Sequence, residues 1–600
     1  MRSISRAIGL VAMLALAGES FGAQIEAVAV PTSAEIALGA NSQGKTAPRL
    51  PGAEMKALAL VAPRNGVANG QILLKATGGP ATTRVTVSDL KGPGSATIPA
   101  AAVQVRYGQY ITGEKNLSVY RWQKDIGLSA NAANDQAAAY NIKQGYWRLD
   151  CLLPTAQCEL EEGLPRCAWL TFTIARDAAP GQYKGAATVA GADAAIPIEL
   201  EVVDAIVPDL AASAMSNDIR PTWEVIALGN GIPLEDCWKS DRFWKVTEAY
   251  LAALGRLRVG SCGVSVMAPS TTSSLGMVQW IKTGDKWSWD YAVMDKFIET
   301  YRRAVGEPRV VEATTFTHDE QKPGLTILYT DAATGQQAVL VMPDGEPAAD
   351  LAAAFVKDLT AHLATLKLDR KLVVGIWHDK MQHTGGTIRQ RLLKDFPDLK
   401  LSLWAHSDGW GKPVQDRVGF YMAKCHMGGP GAGRGLEDAK AFPYPIKSGM
   451  RPAVENPFAF GPHAWDAIAR DFVGLGQVDF SNWSAERRAK EYTYYGAGMF
   501  TSYQRQLVYP MQDGQVVTGV LYELFREYAQ DYELLKLMQA KGVNTGFLAD
   551  PKAAIQTLGD WDKAGGRLGV AGKATPAKVD AMHRDILRQA GEAKVAPEGK

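Results

Sequence analysis

The chain has only six cysteines among 600 residues, and none form a C-x-x-C pair. That leaves a zinc ribbon unsupported. There is no HExxH or HxH motif, so zincin-type metal chemistry lacks its local frame. The glycine-rich 428–435 stretch lacks the Lys-Ser/Thr ending of a phosphate loop. Charge of one sign is also missing: 64 Lys+Arg face 63 Asp+Glu. A generic nucleic-acid binder would carry a basic excess, so that class is excluded. No stretch reaches about 18 apolar residues, so no membrane-inserted helix is expected. At 46% hydrophobic residues the chain is not disordered. No cofactor or metal is expected from these patterns.

What is present begins with an export pattern. Arg2 and Arg6 precede an apolar run over 7–17, followed by Ser20, Gly22 and Ala23. This reads as a signal peptide over 1–23, which implies a secreted or periplasmic protein. Removing it takes Arg2, Arg6 and Glu19 and leaves a mature net charge of zero. An oxidising compartment permits disulfides. Cys151, Cys158 and Cys167 are close in sequence, and a bridge among them is set against three buried thiols.

Residues 24–51 are rich in Ala, Gly, Pro and Ser and read as a linker. From 52 to 207 the pattern is β. Short alternating runs at 71–75, 83–87, 103–107, 169–174, 185–189 and 196–203 predict an antiparallel sandwich. Beyond Pro208 apolar runs alternate with amphipathic helices. Strands are expected at 212–215, 259–267, 310–316, 372–377, 399–405, 418–422, 452–454 and 498–502. Helices are expected at 244–257, 291–305, 349–366 and 386–395. Eight such units over 208–545 predict a (β/α)8 barrel. A hairpin at 326–330 and 337–342 decorates its rim. A helix over 520–539 closes this region, and 546–600 form a helical C-terminal tail.

A barrel carries its chemistry on the loops after its strands. His318, Asp319 and Glu320 follow the third strand. His378, Asp379 and Lys380 follow the fourth; His406 and Asp408 follow the fifth, between Trp404 and Trp410. Lys424, Cys425 and His426 follow the sixth, and Glu455 the seventh. Glycosidic cleavage ordinarily uses two carboxylates, one protonated and one ionised. Asp379 with Glu455 is the first candidate pair, and Asp408 is a third option. Trp377, Trp404, Trp410 and Trp483 are candidate sugar-stacking walls, with His378, Lys380 and His406 beside them. For each tryptophan, core packing is the competing reading. A metal reading would gather His378, Asp379, His406, Asp408 and His426.

Four segments in this order resemble glycoside hydrolase family 123. They are 169–174 with 180–185, then 289–295, 372–379 and 525–533. The resemblance implies a β-sandwich, a (β/α)8 barrel and β-N-acetylgalactosaminidase-type activity. It also implies substrate assistance: an Asp at the end of the fourth strand orients the acetamido group that attacks the anomeric carbon. The adjacent Glu is the general acid. Asp379 matches the Asp, whereas Lys380 stands where the family has Glu. The partner implied is a glycan. Hydrolysis of a glycosidic bond competes with an inactive glycan-binding protein, a metal-dependent hydrolase and a structural envelope protein.

Overall fold

A computed structural model describes residues 23–40, 46–49, 54–112, 147–267, 275–314, 324–377, 386–404, 420–421, 446–448, 460–469, 473–481, 507–558 and 575–597. Among its described residues the N-terminal region is β apart from a 3-10 turn at Ala100–Ala102. One sheet has seven strands, in the order Gln24–Val30, Val67–Thr77, Arg166–Thr173, Val103–Thr112, Trp147–Leu153, Ala37–Ala40 and Thr46–Arg49. The facing sheet is built on Leu58–Arg64, Ile196–Ile206 and Gly181–Val189. Alternation explains the packing. Leu170 and Phe172 enter the core between the sheets with Ile72, Ile198 and Leu200. Trp169, on the other face of the same strand, is fully buried in the core of the following domain.

Two expectations for this region are corrected. Residues 24–51 are not a linker: Gln24–Val30 pairs antiparallel with Val67–Thr77, and Ala29 and Val30 are buried. Nor is there a disulfide in the 151–167 cluster, since Cys151, Cys158 and Cys167 are free. Cys151 and Cys167 lie on strands that flank Val103–Thr112 on opposite sides. Two strand spacings are about 9.5 Å, beyond disulfide reach.

Among its described residues the second region carries eight parallel strands. They are β1 (Asp218–Arg220), β2 (Ser261–Ser265), β3 (Val310–Thr314), β4 (Leu372–Trp377), β5 (Lys400–Trp404), β6 (Phe420–Tyr421), β7 (Ile446–Ser448) and β8 (Gly474–Asp479). One sheet runs β2-β3-β4-β5-β6 and another β1-β8-β7. A parallel bridge from Asn217 to Val259 links them. Between strands lie α1 (Trp223–Gly229), α2 (Asp241–Arg256), α3 (Ala292–Ala304), α4 (Glu346–Thr365), α5 (Thr387–Asp395) and α6 (Phe460–Ala469). Leu372 and Val374 of β4 face the helices, in one core with Phe355 and Leu359 of α4. Val373 faces the other way, onto Val310 and Val473.

The 212–215 stretch is not a strand. A 3-10 turn occupies Leu210–Ala212, and the Glu533 carboxylate accepts the amides of Ala214 at 2.8 Å and Met215 at 3.1 Å. Those donors are lost to any ladder, and β1 starts three residues later. The expected strands at 452–454 and 498–502 lie outside the described residues.

The C-terminal helices are not a free tail. α7 (Val520–Ala540), α8 (Pro551–Gln556) and α9 (Pro576–Glu592) follow β8. α9 packs on α7 and on Leu58–Arg64 and Ile196–Ile206 of the sandwich. Ile206 donates its amide to the Val595 carbonyl at 2.9 Å. α7 carries a buried polar seam towards the sandwich. Arg106 pairs with Glu523 at 2.6 Å and also bonds Thr518 and Thr171. Asn69 donates to Glu527 at 2.9 Å.

Candidate active site

All eight strands run parallel, so their C-terminal ends open on one face. Register fixes which ends are neighbours. Ser265 pairs with Thr314, Thr314 with Gly375, and Trp377 with Trp404. β4 and β5 therefore end side by side. The chain reaches His378, Asp379 and Lys380 one to three residues after Trp377, and His406 and Asp408 two and four after Trp404.

Trp377 and Trp404 are placed by backbone alone, at adjacent strand ends. His378, Asp379, Lys380, His406, Asp408, Trp410, Glu455 and Trp483 lie outside the described residues. So do all five residues of the metal reading, His378, Asp379, His406, Asp408 and His426. Among the described residues, no cluster of three His, Cys, Asp or Glu side chains is arranged to hold a metal.

A four-stranded sheet rises beside these ends. Its strands are Lys286–Asp290, Gln279–Thr283, Gly324–Asp331 and Gln337–Pro343, from the segments following β2 and β3. The expected hairpin is its second half. Trp280 ties this sheet to the end of β2, donating Nε1–H to the Val266 carbonyl at 2.9 Å. Trp280 also packs against Trp287, Trp289 and Phe355. At the end of the hairpin, Asp344 caps α5, accepting the amides of Thr387 at 3.0 Å and Ile388 at 3.1 Å. A Cβ at Gly386 would lie 2.2 Å from a carboxylate oxygen of Asp344, so a larger residue there would displace the capping side chain. The rim sheet thus fixes the start of the helix that follows the Asp379 segment.

Three polar residues at this domain's centre carry no motif in sequence. Asn217 is fully buried and joins β1, β2 and β8. Its amide donates to the Leu257 carbonyl at 2.6 Å, and its oxygen accepts from Leu475 at 2.8 Å. Glu224, in the first turn of α1, is buried and accepts the Leu275 amide at 3.0 Å. Glu312 is fully buried within β3, in register with Gly263 and Val373. Among the described residues, a Cβ added at Gly263 would meet nothing within 4 Å. The available sequence signal was a single acid inside an apolar strand.

The chain thus joins a β-sandwich to parallel strands whose loop ends share one face. Two family descriptions match it: "Glycoside hydrolase 123, catalytic domain" over 236–538 and "Glycoside hydrolase 123 N-terminal domain" over 44–191. The chain belongs to glycoside hydrolase family 123. Its fold is shared with a family 123 glycoside hydrolase from Clostridium perfringens, studied for glycolipid glycan hydrolysis. The two are 12% identical, with a TM-score of 0.71 over 95% of this chain and 98% of that one. A putative alpha-galactosidase from Bacteroides fragilis aligns over 79% of this chain and 77% of its own. It is 8% identical, and its TM-score of 0.21 carries no argument. No curated protein sequence matches the chain.

Proposed function

We propose that the eight parallel strands close into a (β/α)8 barrel that cleaves an N-acetylhexosaminide in an exported setting, with Asp379 at the reacting centre. One observation carries the reading: the catalytic-domain match over 236–538 includes Asp379, two residues past the end of β4. Closure is supported by strand order. Read along both sheets and the bridge, the strands run β7-β8-β1-β2-β3-β4-β5-β6, which is chain order on a ring. Only the β6–β7 pairing is missing among the described residues. Export rests on the signal pattern of 1–23.

Asp379 orients the substrate's acetamido oxygen for attack on the anomeric carbon. The leaving oxygen then needs a proton. An ordinary lysine ammonium, with a pKa of about 10.4, is a poor donor for this step. Glu455 or Asp408 supplies it instead. Lys380 also favours the second reading, a glycan-binding protein without turnover. The Clostridium enzyme's glycolipid glycans make a terminal amino sugar the first substrate to test.

The experiment is hydrolysis of 4-nitrophenyl and alkyl N-acetyl-β-galactosaminides by the full chain, Glu455→Gln and Asp408→Asn. Removing the acid lowers turnover of the alkyl glycoside by about 10²–10⁴ and spares the nitrophenyl one, whose leaving group needs little protonation. Glycan binding with no turnover of either probe by the unmodified chain would establish the second reading.

A further inference from the structure

The rim sheet has two edges, and they differ. Lys286–Asp290 forms one, and its outward row is Lys286, Ser288 and Asp290, all exposed. Charges in such a row keep an edge from pairing with another chain. Gln337–Pro343 forms the other edge and pairs only with Gly324–Asp331 among the described residues. Its register runs without a bulge, and no charge occurs from Ala332 to Pro343.

Alternation sets the two faces of this strand. Ala338, Leu340 and Met342 are half-buried, and Met342 packs against the domain core. Val339 and Val341 point the other way, 49% and 66% exposed, and are the exposed large hydrophobic side chains among the described residues. Across the ladder Val339 stands opposite Leu328 and Val341 opposite Thr326.

An open, uncharged edge of this kind is a template for a further strand. Its sequence matches itself: Ala338-Val339-Leu340-Val341-Met342 is nearly symmetrical about Leu340. A second copy turned about a two-fold axis at Leu340, perpendicular to the sheet, would pair antiparallel. Each Val339 then stands opposite Val341 of the other copy, and each Ala338 opposite Met342. A two-fold contact needs this self-match, because one patch serves both sides. No like charges oppose each other along the pair, and a net charge of +1 adds little repulsion between copies. Pro343, which lacks an amide donor, falls at the end of the paired stretch.

We infer that the chain forms a two-fold dimer through Gln337–Pro343, joining two rim sheets into one. Length sets its strength. The strand spans only about 24 Å, small beside a standard interface of about 1,600 Å². The dimer is therefore reversible, in the micromolar range, and not obligate.

Sedimentation velocity of the full chain across the micromolar range tests this, with circular dichroism checking the fold. The unmodified chain should show a reversible monomer–dimer equilibrium. Val339→Lys with Val341→Lys sets lysine against lysine at exposed positions and should weaken association by about tenfold or more. Val339→Lys with Val341→Glu sets lysine against glutamate in both cross-strand pairs and should restore association at low salt. A chain monomeric at every concentration, a dimer indifferent to the double-lysine change, no rescue by the lysine–glutamate pair, or assembly beyond the dimer overturns the inference. So does a monomer whose 337–342 amides resist hydrogen exchange, which would show the edge covered by the chain itself.

Discussion

His583→Ala is expected to unfasten the C-terminal helix from the rest of the molecule. His583 sits on α9 and is buried. Its Nδ1 lies 2.8 Å from Asp531 Oδ1, and its Nε2 lies 3.3 Å from Glu527, both on α7. Asp531 also accepts from Trp465 Nε1 at 2.9 Å. Asp580 and Arg584 of α9 face the same space, and Tyr528 presents its ring edge to the imidazole. Burial alone would lower the imidazole's pKa. Asp531 and Glu527 outweigh it and lift the pKa to about 10.

A rise from 6.5 to about 10, at about 1.4 kcal/mol per pH unit, sets a ceiling of roughly 5 kcal/mol. Removing one member of a buried pair ordinarily costs about 3–5 kcal/mol, because the abandoned carboxylate stays buried. The folded-state pKa is raised, so the contribution is full below about pH 6.5 and fades as pH rises through about 10. Urea unfolding followed by tryptophan fluorescence reads this, since Trp465 touches the cluster. The variant should lose several kcal/mol at pH 7 and much less at pH 10.5. A loss under about 1 kcal/mol at pH 7, or one independent of pH, refutes the ion-pair reasoning.

Other outcomes follow from the same seam. Asp580 is held by burial at about 6, above its ordinary 3.8, so its ionisation opposes folding as pH rises through that window. Asp580→Asn keeps an acceptor for the Ser33 amide and should raise the melting temperature more at pH 8 than at pH 5, in paired thermal scans. Arg106→Ala strands the Glu523 carboxylate and should cost about 3–5 kcal/mol by urea unfolding, whereas Arg106→Met with Glu523→Leu should recover most of it. Cys151, Cys158, Cys167, Cys237 and Cys262 are free, so a reductant should leave the melting temperature unchanged within about 1 °C.

The sandwich was legible because its strands alternate cleanly, as in Ile196–Ile206, where Ile196, Ile198, Leu200 and Val202 are buried. β4 was legible because both its faces are buried, giving a continuous apolar run. α2 announced itself by periodicity and by Ser240, whose side chain caps Phe243 at 3.2 Å. β1, β7 and β8 were not legible. β1 and β7 have three residues each, too few for any period, and β8 is Gly-Leu-Gly-Gln-Val-Asp, without an apolar run. The clamp between α7 and α9 was invisible for another reason: His583 and Asp531 meet across 52 residues of chain. Their partnership follows from tertiary packing and has no local pattern. For the site, sequence reasoning named the strand ends. Glu312 and Asn217 required the register of neighbouring strands to become visible.

The central proposal is that the parallel-strand domain cleaves a glycosidic bond through Asp379. The most direct measurement is the single-turnover rate of an aryl N-acetyl-β-galactosaminide in the unmodified chain and in Asp379→Asn, with matching melting curves. The account predicts measurable cleavage that falls by about 10²–10⁴ in the variant while the fold persists. Equal rates in two equally folded proteins would contradict it.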